Sequence, residues 1–254
     1  MFDLAPYFVW APTLMLVIAR VSGIFMTAPL LSNSWIPTTV KALLSIVVGL
    51  AVTARLAAPV APPADWAALV MGMGGELLIG ATIGFATNLL FGAMEMAGEQ
   101  IGQQMGISLA EVFNPLSETN TNVVGQLLNL TGLAIFLLIG GHRTMLGGLL
   151  DTFHSVPLLK VTLPAGLMDV MVALMTAALV LSMKVAAPVL VVMLLVSMAM
   201  GLIQRTMPQL NILSVGFQVR AAVAAGVLAL GVAALGPLIQ QAWSGASELI
   251  ASLF

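Results

Sequence analysis

The chain alternates between long apolar runs and short polar breaks. Four runs of at least 20 residues carry no charged side chain: 21–40, 119–142, 185–204 and 221–247. A helix that crosses the hydrocarbon core of a bilayer needs about 20 apolar residues. The N-terminal stretch up to about Leu31 overlaps the first of these runs. With a short run at 42–54 and a run at 66–94, the pattern predicts about six apolar segments, each of them a helix.

The composition indicates that these apolar helices belong to a membrane protein. Of the 254 residues, 60% are hydrophobic and 7% are charged, whereas an ordinary soluble domain has about 25% charged residues. A chain of this composition cannot build a soluble surface of normal polarity. The sequence therefore predicts an all-α integral membrane protein made of long helical hairpins.

The inventory of residues excludes several classes of function. A net charge of −2 argues against a nucleic-acid partner, because phosphates require a clustered basic face. The chain has no cysteine, which excludes disulfides and thiolate metal sites. His142 and His154 flank an aspartate at no known metal spacing, and Ser108 has no nearby base. We therefore expect no catalytic activity, no cofactor and no bound metal.

Small and polar residues recur at every fourth position between residues 76 and 106. The first stripe is Glu76, Gly80, Gly84, Asn88 and Gly92. Two further stripes follow it, the polar Glu95, Glu99 and Gln103 and the glycines Gly98, Gly102 and Gly106. Residues four apart share one helical face, so the first stripe favours close packing of a second helix. The glycines indicate a bendable helix, because each lowers helix stability by about 1 kcal/mol relative to alanine. The polar stripe should face water, a lumen or partner helices.

Arg20 and Glu76 are ionisable residues inside predicted membrane helices. Such residues are costly in a bilayer and usually face the protein interior or pair with each other. We favour helix pairing or an ion pair between the two. A proton relay through Glu76 is the alternative, although the sequence supplies no chain of Asp, Glu and His side chains for it.

The segment 107–122 is polar but contains isolated apolar residues. Asn114-Pro115 is a turn signal, and the run of Ser, Thr and Asn after it cannot form a core. An exposed interhelical loop is the simplest interpretation, yet loops of about 15 residues in compact proteins are often functional. The apolar residues indicate that part of the loop packs against an apolar surface. They are Ile107, Leu109, Val112 and Phe113.

Four longer motifs follow one another along the chain. They are RVSGIFMTAPLLSNSWIPTTVK from Arg20, GELLIGATIGF from Gly75, EQIGQQMGISLAEVFNP from Glu99 and GGHRTMLGGLLDTFHSVPL from Gly140. Together they resemble the FliR/SctT family, the R subunits of type III export apparatuses, over essentially the whole chain. The segment DTFHSVPL favours the flagellar branch of the family. This branch implies a location in the bacterial inner membrane, within the flagellar basal body. The equivalent subunit of a virulence type III secretion system is the alternative.

The resemblance implies a division of the chain into two parts. Residues 1–165 are similar to a FliP subunit and include the glycine-rich helix, and residues 166–254 are similar to the helical hairpin of FliQ. The polar turn of this hairpin is expected at Gln204, Arg205, Pro208 and Asn211. The family also implies partners: FliP and FliQ in a hetero-oligomeric export gate, FlhB and FlhA beside it, membrane lipid, and unfolded flagellar export substrates.

In the family, the loop after the glycine-rich helix acts as a plug in the closed pore. The residues that would form this plug here are Gly106, Ile107, Leu109, Val112, Phe113, Asn114 and Pro115. The hinge that would let the plug move is expected at Gly98, Gly102 and Gly106. The candidates for lining the pore or pairing helices are Arg20, Glu76, Glu95, Glu99 and Gln103.

A stand-alone secondary transporter or small-solute channel is an alternative from a different class. It would show charged pairs at mid-membrane, broken helices in both halves and an inverted repeat. The chain offers Pro188 inside one apolar run, and its two halves do not match each other. An intramembrane enzyme would need paired aspartates or a serine with a base, and the sequence has neither.

Overall fold

The computed structural model describes residues 5–32, 36–56, 58–60, 65–107, 122–160, 166–207 and 212–253, and this part of the chain is helical, without strands. Its helices are α1 (Ala5–Thr27), α2 (Pro29–Ser32), α3 (Thr38–Thr53), α4 (Trp66–Met105), α5 (Val123–Leu138), α6 (Gly141–Ser155), α7 (Leu167–Thr206) and α8 (Ile212–Ala251). The all-α prediction is confirmed for these residues.

Four helices are long and apolar enough to cross a membrane: α1, α4, α7 and α8. The pair α5 and α6 could form a fifth span, but the two helices are bent by 67° at the break between them. Gly140 lies in this break at φ +76°, a left-handed conformation that favours glycine. α3 has 16 residues and is short for a span. Most of the predicted apolar segments therefore lie within helices, but the run 21–40 is divided among the end of α1, α2 and the start of α3. The described helices form four or five candidate spans.

The helices α4, α7 and α8 are each 40 residues long. At 1.5 Å per residue, each is about 60 Å long, about twice the hydrocarbon thickness of a bilayer. The apolar runs in the sequence were shorter because their limits were set at charged residues. Lys184 is an example, since it limits the run 185–204 but lies inside α7. A single charge did not end the helix.

The chain forms two compact units. The first consists of Met1–Leu89, Gly140–Leu174 and Ser244–Phe254, and the second consists of Leu90–Ile139 and Met175–Trp243. The long helices α4, α7 and α8 each contribute residues to both units. The expected division at residue 165 rests on resemblance to FliP and FliQ, and it stays a prediction.

The core of the first unit contains a close crossing of α1 and α4. A Cβ atom on Gly80 would overlap the carbonyl oxygen of Arg20, and one on Gly23 would overlap that of Leu77. Thr27 adds a hydrogen bond from its Oγ1 to the carbonyl oxygen of Ala81, at 3.1 Å. The close packing predicted for the first small-residue stripe is therefore present at Gly80 and Gly84, whereas a Cβ atom on Gly92 would meet nothing within 4 Å and Asn88 is exposed.

The core of the second unit is built around a chain of three aromatic rings. Phe91 of α4 and Phe136 of α5 have ring centroids 5.4 Å apart, and Phe136 lies 5.0 Å from Trp243 of α8. Both contacts are edge-to-face, the arrangement that the ring quadrupoles favour. Gly132 of α5 packs against the side chain of Met94, so α5 lies close to α4 beside the rings.

Candidate functional site

Arg20 of α1 and Glu76 of α4 form an ion pair in the core of the first unit. Both side chains are 0% exposed. The Arg20 Nε donates a hydrogen bond to Glu76 Oε2 at 2.6 Å, and Nη2 lies 2.5 Å from the same oxygen. The structure thus contains the ion pair favoured for these two residues, directly beside the glycine crossing of α1 and α4.

The remaining donors of Arg20 bind the C-terminal end of α6. Nη1 donates to the carbonyl oxygen of Thr152 at 2.8 Å and lies 3.2 Å from its Oγ1, and Nη2 donates to the carbonyl oxygen of Val156 at 3.1 Å. The carbonyl oxygen of Thr152 also accepts the N–H of Val156 at 2.9 Å, so Arg20 supplies its second hydrogen bond, and carbonyl groups at the end of a helix carry a partial negative charge. The guanidinium also lies 4.4 Å from the ring centroid of Phe153. Arg20 therefore caps α6.

Glu76 holds the segment that follows α6. Its Oε1 accepts a hydrogen bond from the backbone N–H of Leu159 at 3.1 Å. Leu159 has φ +66°, an uncommon conformation for a residue with a branched side chain. Its side chain packs against Gly72, where a Cβ atom would meet Leu159 Cδ2. We name the residues Arg20, Glu76, Thr152, Val156 and Leu159 the Arg20 clasp.

The Arg20 clasp is suited to holding helices together. Burying a charge is tolerated when the charge is paired and its other hydrogen-bonding groups are satisfied. Both carboxylate oxygens of Glu76 have partners, and the guanidinium binds the carboxylate and two backbone carbonyls. Arginine stays protonated in proteins, so it does not pass a proton on. This chemistry favours helix pairing over a proton relay.

The partners of the ion pair were not found by sequence reasoning. Thr152 and Val156 take part through backbone carbonyl oxygens, which every residue has. Leu159 occupies a left-handed conformation without being Gly, Asn or Asp. The one available signal was Pro157, because a proline often follows soon after the end of a helix.

The polar stripe Glu95, Glu99 and Gln103 lies on α4 in the second unit, and all three side chains are exposed. Gln100, between two of them, donates from Nε2 to the Oγ of Ser182 in α7 at 3.3 Å. The stripe is thus available to water, a lumen or a partner helix. Its role in lining a pore stays a prediction.

The glycine stripe lies along the contact of α4 with the start of α5. A Cβ atom on Gly98 would overlap the backbone of Gly125, and one on Gly102 would overlap the side chain of Asn122. Gly106 follows the last residue of α4 and has φ +82°. These glycines therefore have packing or helix-ending positions, and their role as a hinge stays a prediction.

The end of α4 and the start of α5 are both well defined. At the end of α4, Gly106 N–H donates to the carbonyl of Gln103 and Ile107 N–H to that of Gly102, each at 3.1 Å. This is the hydrogen-bond pattern of a Schellman motif. At the start of α5, Asn122 accepts from Val124 N–H through Oδ1 at 3.0 Å, and its Nδ2 donates to Gly98 O at 3.1 Å. The chain therefore leaves α4 and enters α5 at neighbouring points.

The expected plug and hairpin turn are only partly covered by the described residues. Gly106 and Ile107 of the plug are described, at the end of α4. Gln204 and Arg205 of the turn are exposed in the last turn of α7. The plug and turn residues outside the described part are Leu109, Val112, Phe113, Asn114, Pro115, Pro208 and Asn211.

The described residues contain no group of three or more His, Cys, Asp or Glu side chains that could hold a metal ion. His142 has a buried Nδ1 without a hydrogen-bond partner. A single unpaired ring nitrogen does not form a metal site.

Comparison with known proteins identifies relatives along nearly the whole chain. Residues 11–246 match the model of the family described as Bacterial export proteins, family 1. The Flagellar biosynthetic protein FliR of Escherichia coli (strain K12) is 30% identical over 234 residues, which are 92% of this chain and 89% of that protein. FliR of Pectobacterium carotovorum subsp. carotovorum is 28% identical over 96% of this chain and 93% of its own length. FliR of Bacillus subtilis (strain 168) is 24% identical over 95% of this chain and 94% of its own.

Proposed function

Because the chain belongs to the bacterial export proteins, family 1, we propose that it acts as the R-type subunit of the flagellar export gate. It is a membrane-embedded component of the flagellar export apparatus. The proposed subunit assembles with FliP and FliQ in the bacterial inner membrane, beside FlhB and FlhA. Together they form the channel for unfolded flagellar substrates, and the role of this chain is structural and not catalytic.

The length of the exposed apolar helices is the observation that carries this proposal. α7 and α8 are each about 60 Å long, whereas lipid tails cover about 30 Å. Apolar side chains are exposed along both helices, among them Leu194 at 62%, Leu195 at 60% and Leu230 at 84%. One bilayer cannot cover all of this surface if the helices stand upright. Partner helices of an assembly would cover the rest.

The plug is the second part of the proposal. The described residues on either side of the expected loop are held together, because Asn122 bonds to Gly98 and packs against Gly102. A loop with fixed ends can close a pore with its tip while its ends stay in place. Gly106 supports the expected hinge, since its left-handed conformation ends α4 where the loop begins.

The relatives also bear on the alternative functions. The matches named above are flagellar proteins, which favours the flagellar gate over a virulence system. A stand-alone transporter would need charged pairs at mid-membrane that its solute or ion can reach. The buried pair of Arg20 and Glu76 does not supply them, because both side chains are 0% exposed and engaged in the clasp.

Native mass spectrometry after co-expression with the neighbouring FliP and FliQ genes tests this function. We expect one copy of this chain bound within a larger assembly of the other two. Leu230→Arg should lower the yield of that complex, because it places a charge on the apolar surface. Gln240→Arg, at an exposed polar position of the same helix, is the matched control. A chain that purifies alone, or only as its own oligomer, would refute the gate and favour solute transport.

A further inference from the structure

Lys184 is a charged residue near the middle of the apolar helix α7. It lies 17 residues after Leu167 and 22 residues before Thr206, about 25 Å and about 33 Å from the two helix ends. Its side chain is exposed. Within the described residues the ion pair of Arg20 and Glu76 is the only one, so no carboxylate there neutralises Lys184. An unpaired ammonium on an apolar membrane helix is costly.

Lys184 lines a groove in the second unit. The groove is formed by α5, α7 and α8, and apart from Lys184 its lining is apolar or glycine, including Val185, Pro188 and Leu235. Gly231 of α8 also lines it, and a Cβ atom there would meet nothing within 4 Å. Side-chain ridges of one helix fit into grooves of this kind on others. The groove therefore has room for side chains of a neighbouring helix beside the charge.

The surroundings of Lys184 indicate which occupant the groove takes. Apolar side chains continue on both sides of it along the same face of α7: the half-buried Ala177 and Val180 at 47% exposure before it, and Val191 at 60% and Leu195 at 60% after it. A lipid headgroup at Lys184 would place one of these two apolar stretches in the polar layer of the bilayer. A helix with apolar side chains on both sides of one carboxylate would cover both stretches and neutralise the amine.

We propose that the groove beside Lys184 binds an apolar helix of a neighbouring export-gate subunit, and that an aspartate or glutamate of this helix pairs with Lys184. This inference rests on the proposed function. It adds the chemistry of one contact, because a lone charge pair in an apolar interface sets the register of the two helices and disfavours partners without the acid.

Charge variants of Lys184 in the full chain, co-expressed with FliP and FliQ, test this contact. We expect Lys184→Arg to assemble as the unmodified chain does and Lys184→Met to assemble less. Lys184→Glu should lower the yield of the complex at least about tenfold, because it places two acids opposite each other. Lys160→Glu makes the same change at an exposed residue outside the helices and should leave the yield unchanged.

A charge exchange distinguishes loss of this pair from misfolding. Each acidic residue in the partner helices is replaced by lysine, and one of these variants should restore assembly with Lys184→Glu. Failure of every exchange, or full assembly of Lys184→Glu alone, overturns the inference and leaves the proposed function intact. Intact complexes that lose only bound phosphatidylglycerol in Lys184→Glu would identify a lipid as the occupant and also overturn it. If the unmodified chain does not assemble with FliP and FliQ, both proposals fail.

Discussion

At the crossing of α1 and α4, Gly80 lies directly against the carbonyl oxygen of Arg20. The two helices meet backbone to backbone at the residue whose side chain forms the Arg20 clasp. A larger distance between α1 and α4 would also move the guanidinium of Arg20 away from Glu76. The small residue and the buried charge therefore depend on each other.

We predict that Gly80→Ala destabilises the protein, because the added methyl group must displace the backbone of α1. Overpacking of this kind costs about 1 to 3 kcal/mol, and a backbone obstacle places the change at the upper end. Gly92→Ala is the matched control in the same helix, since a Cβ atom there meets nothing within 4 Å. It should be neutral or stabilising by up to about 1 kcal/mol. Thermal unfolding in detergent measures both, and equal midpoints would contradict the prediction.

The ion pair in the Arg20 clasp predicts that substitutions of Arg20 and Glu76 have non-additive effects on stability. Arg20→Met leaves Glu76 buried and charged, and Glu76→Met leaves Arg20 in the same state, so each should cost about 3 to 5 kcal/mol. The double variant removes both charges and should be more stable than the sum of the single effects implies. The free energies of unfolding of the unmodified chain, the two single variants and the double variant, measured in detergent, form a double-mutant cycle. Strictly additive effects would mean that the ion pair contributes no coupling.

The sequence predicted the helices better than it predicted the contacts between them. The helices followed from local apolar runs, and the ion pair followed from the cost of leaving Arg20 and Glu76 unpaired. The capping of α6 did not, because it depends on the carbonyl oxygens of Thr152 and Val156. The close approach of Gly98 to Gly125 was also missed, since a glycine in sequence does not tell bending from packing.

The two hydrogen bonds of Asn122 should contribute separately to the stability of the protein. Asn122→Ala removes the cap of α5 and the bond to Gly98 O, and should destabilise by about 1 to 2 kcal/mol. Asn122→Asp keeps an acceptor for Val124 N–H but loses the donor, so it should lie between the unmodified chain and Asn122→Ala. Thermal unfolding ranks the variants. An aspartate variant as unstable as the alanine variant would show that the cap contributes little.

The left-handed conformation of Gly106 allows a test of the expected hinge. Its φ of +82° is strained for most residues by about 1 to 2 kcal/mol but tolerated by asparagine. We expect Gly106→Val to impair flagellar secretion and Gly106→Asn to retain most of it. The secreted flagellin of cells with each variant is the measurement. If Gly106→Val secretes normally, the conformation at the end of α4 is not needed for export.

Deletion of residues 110–118 tests the plug. A plug must be apolar enough to pack in a closed pore, and burying one large apolar side chain contributes about 1.5 to 3 kcal/mol. Without these residues the pore should stay open to small ions, so we expect faster ion leakage across the inner membrane and an intact complex by native mass spectrometry. Phe113→Ser keeps the length of the loop but removes its aromatic residue, and should give a smaller leak. An unchanged leak rate in the deletion variant, with the complex assembled, would refute the plug and leave the loop as a connection between α4 and α5.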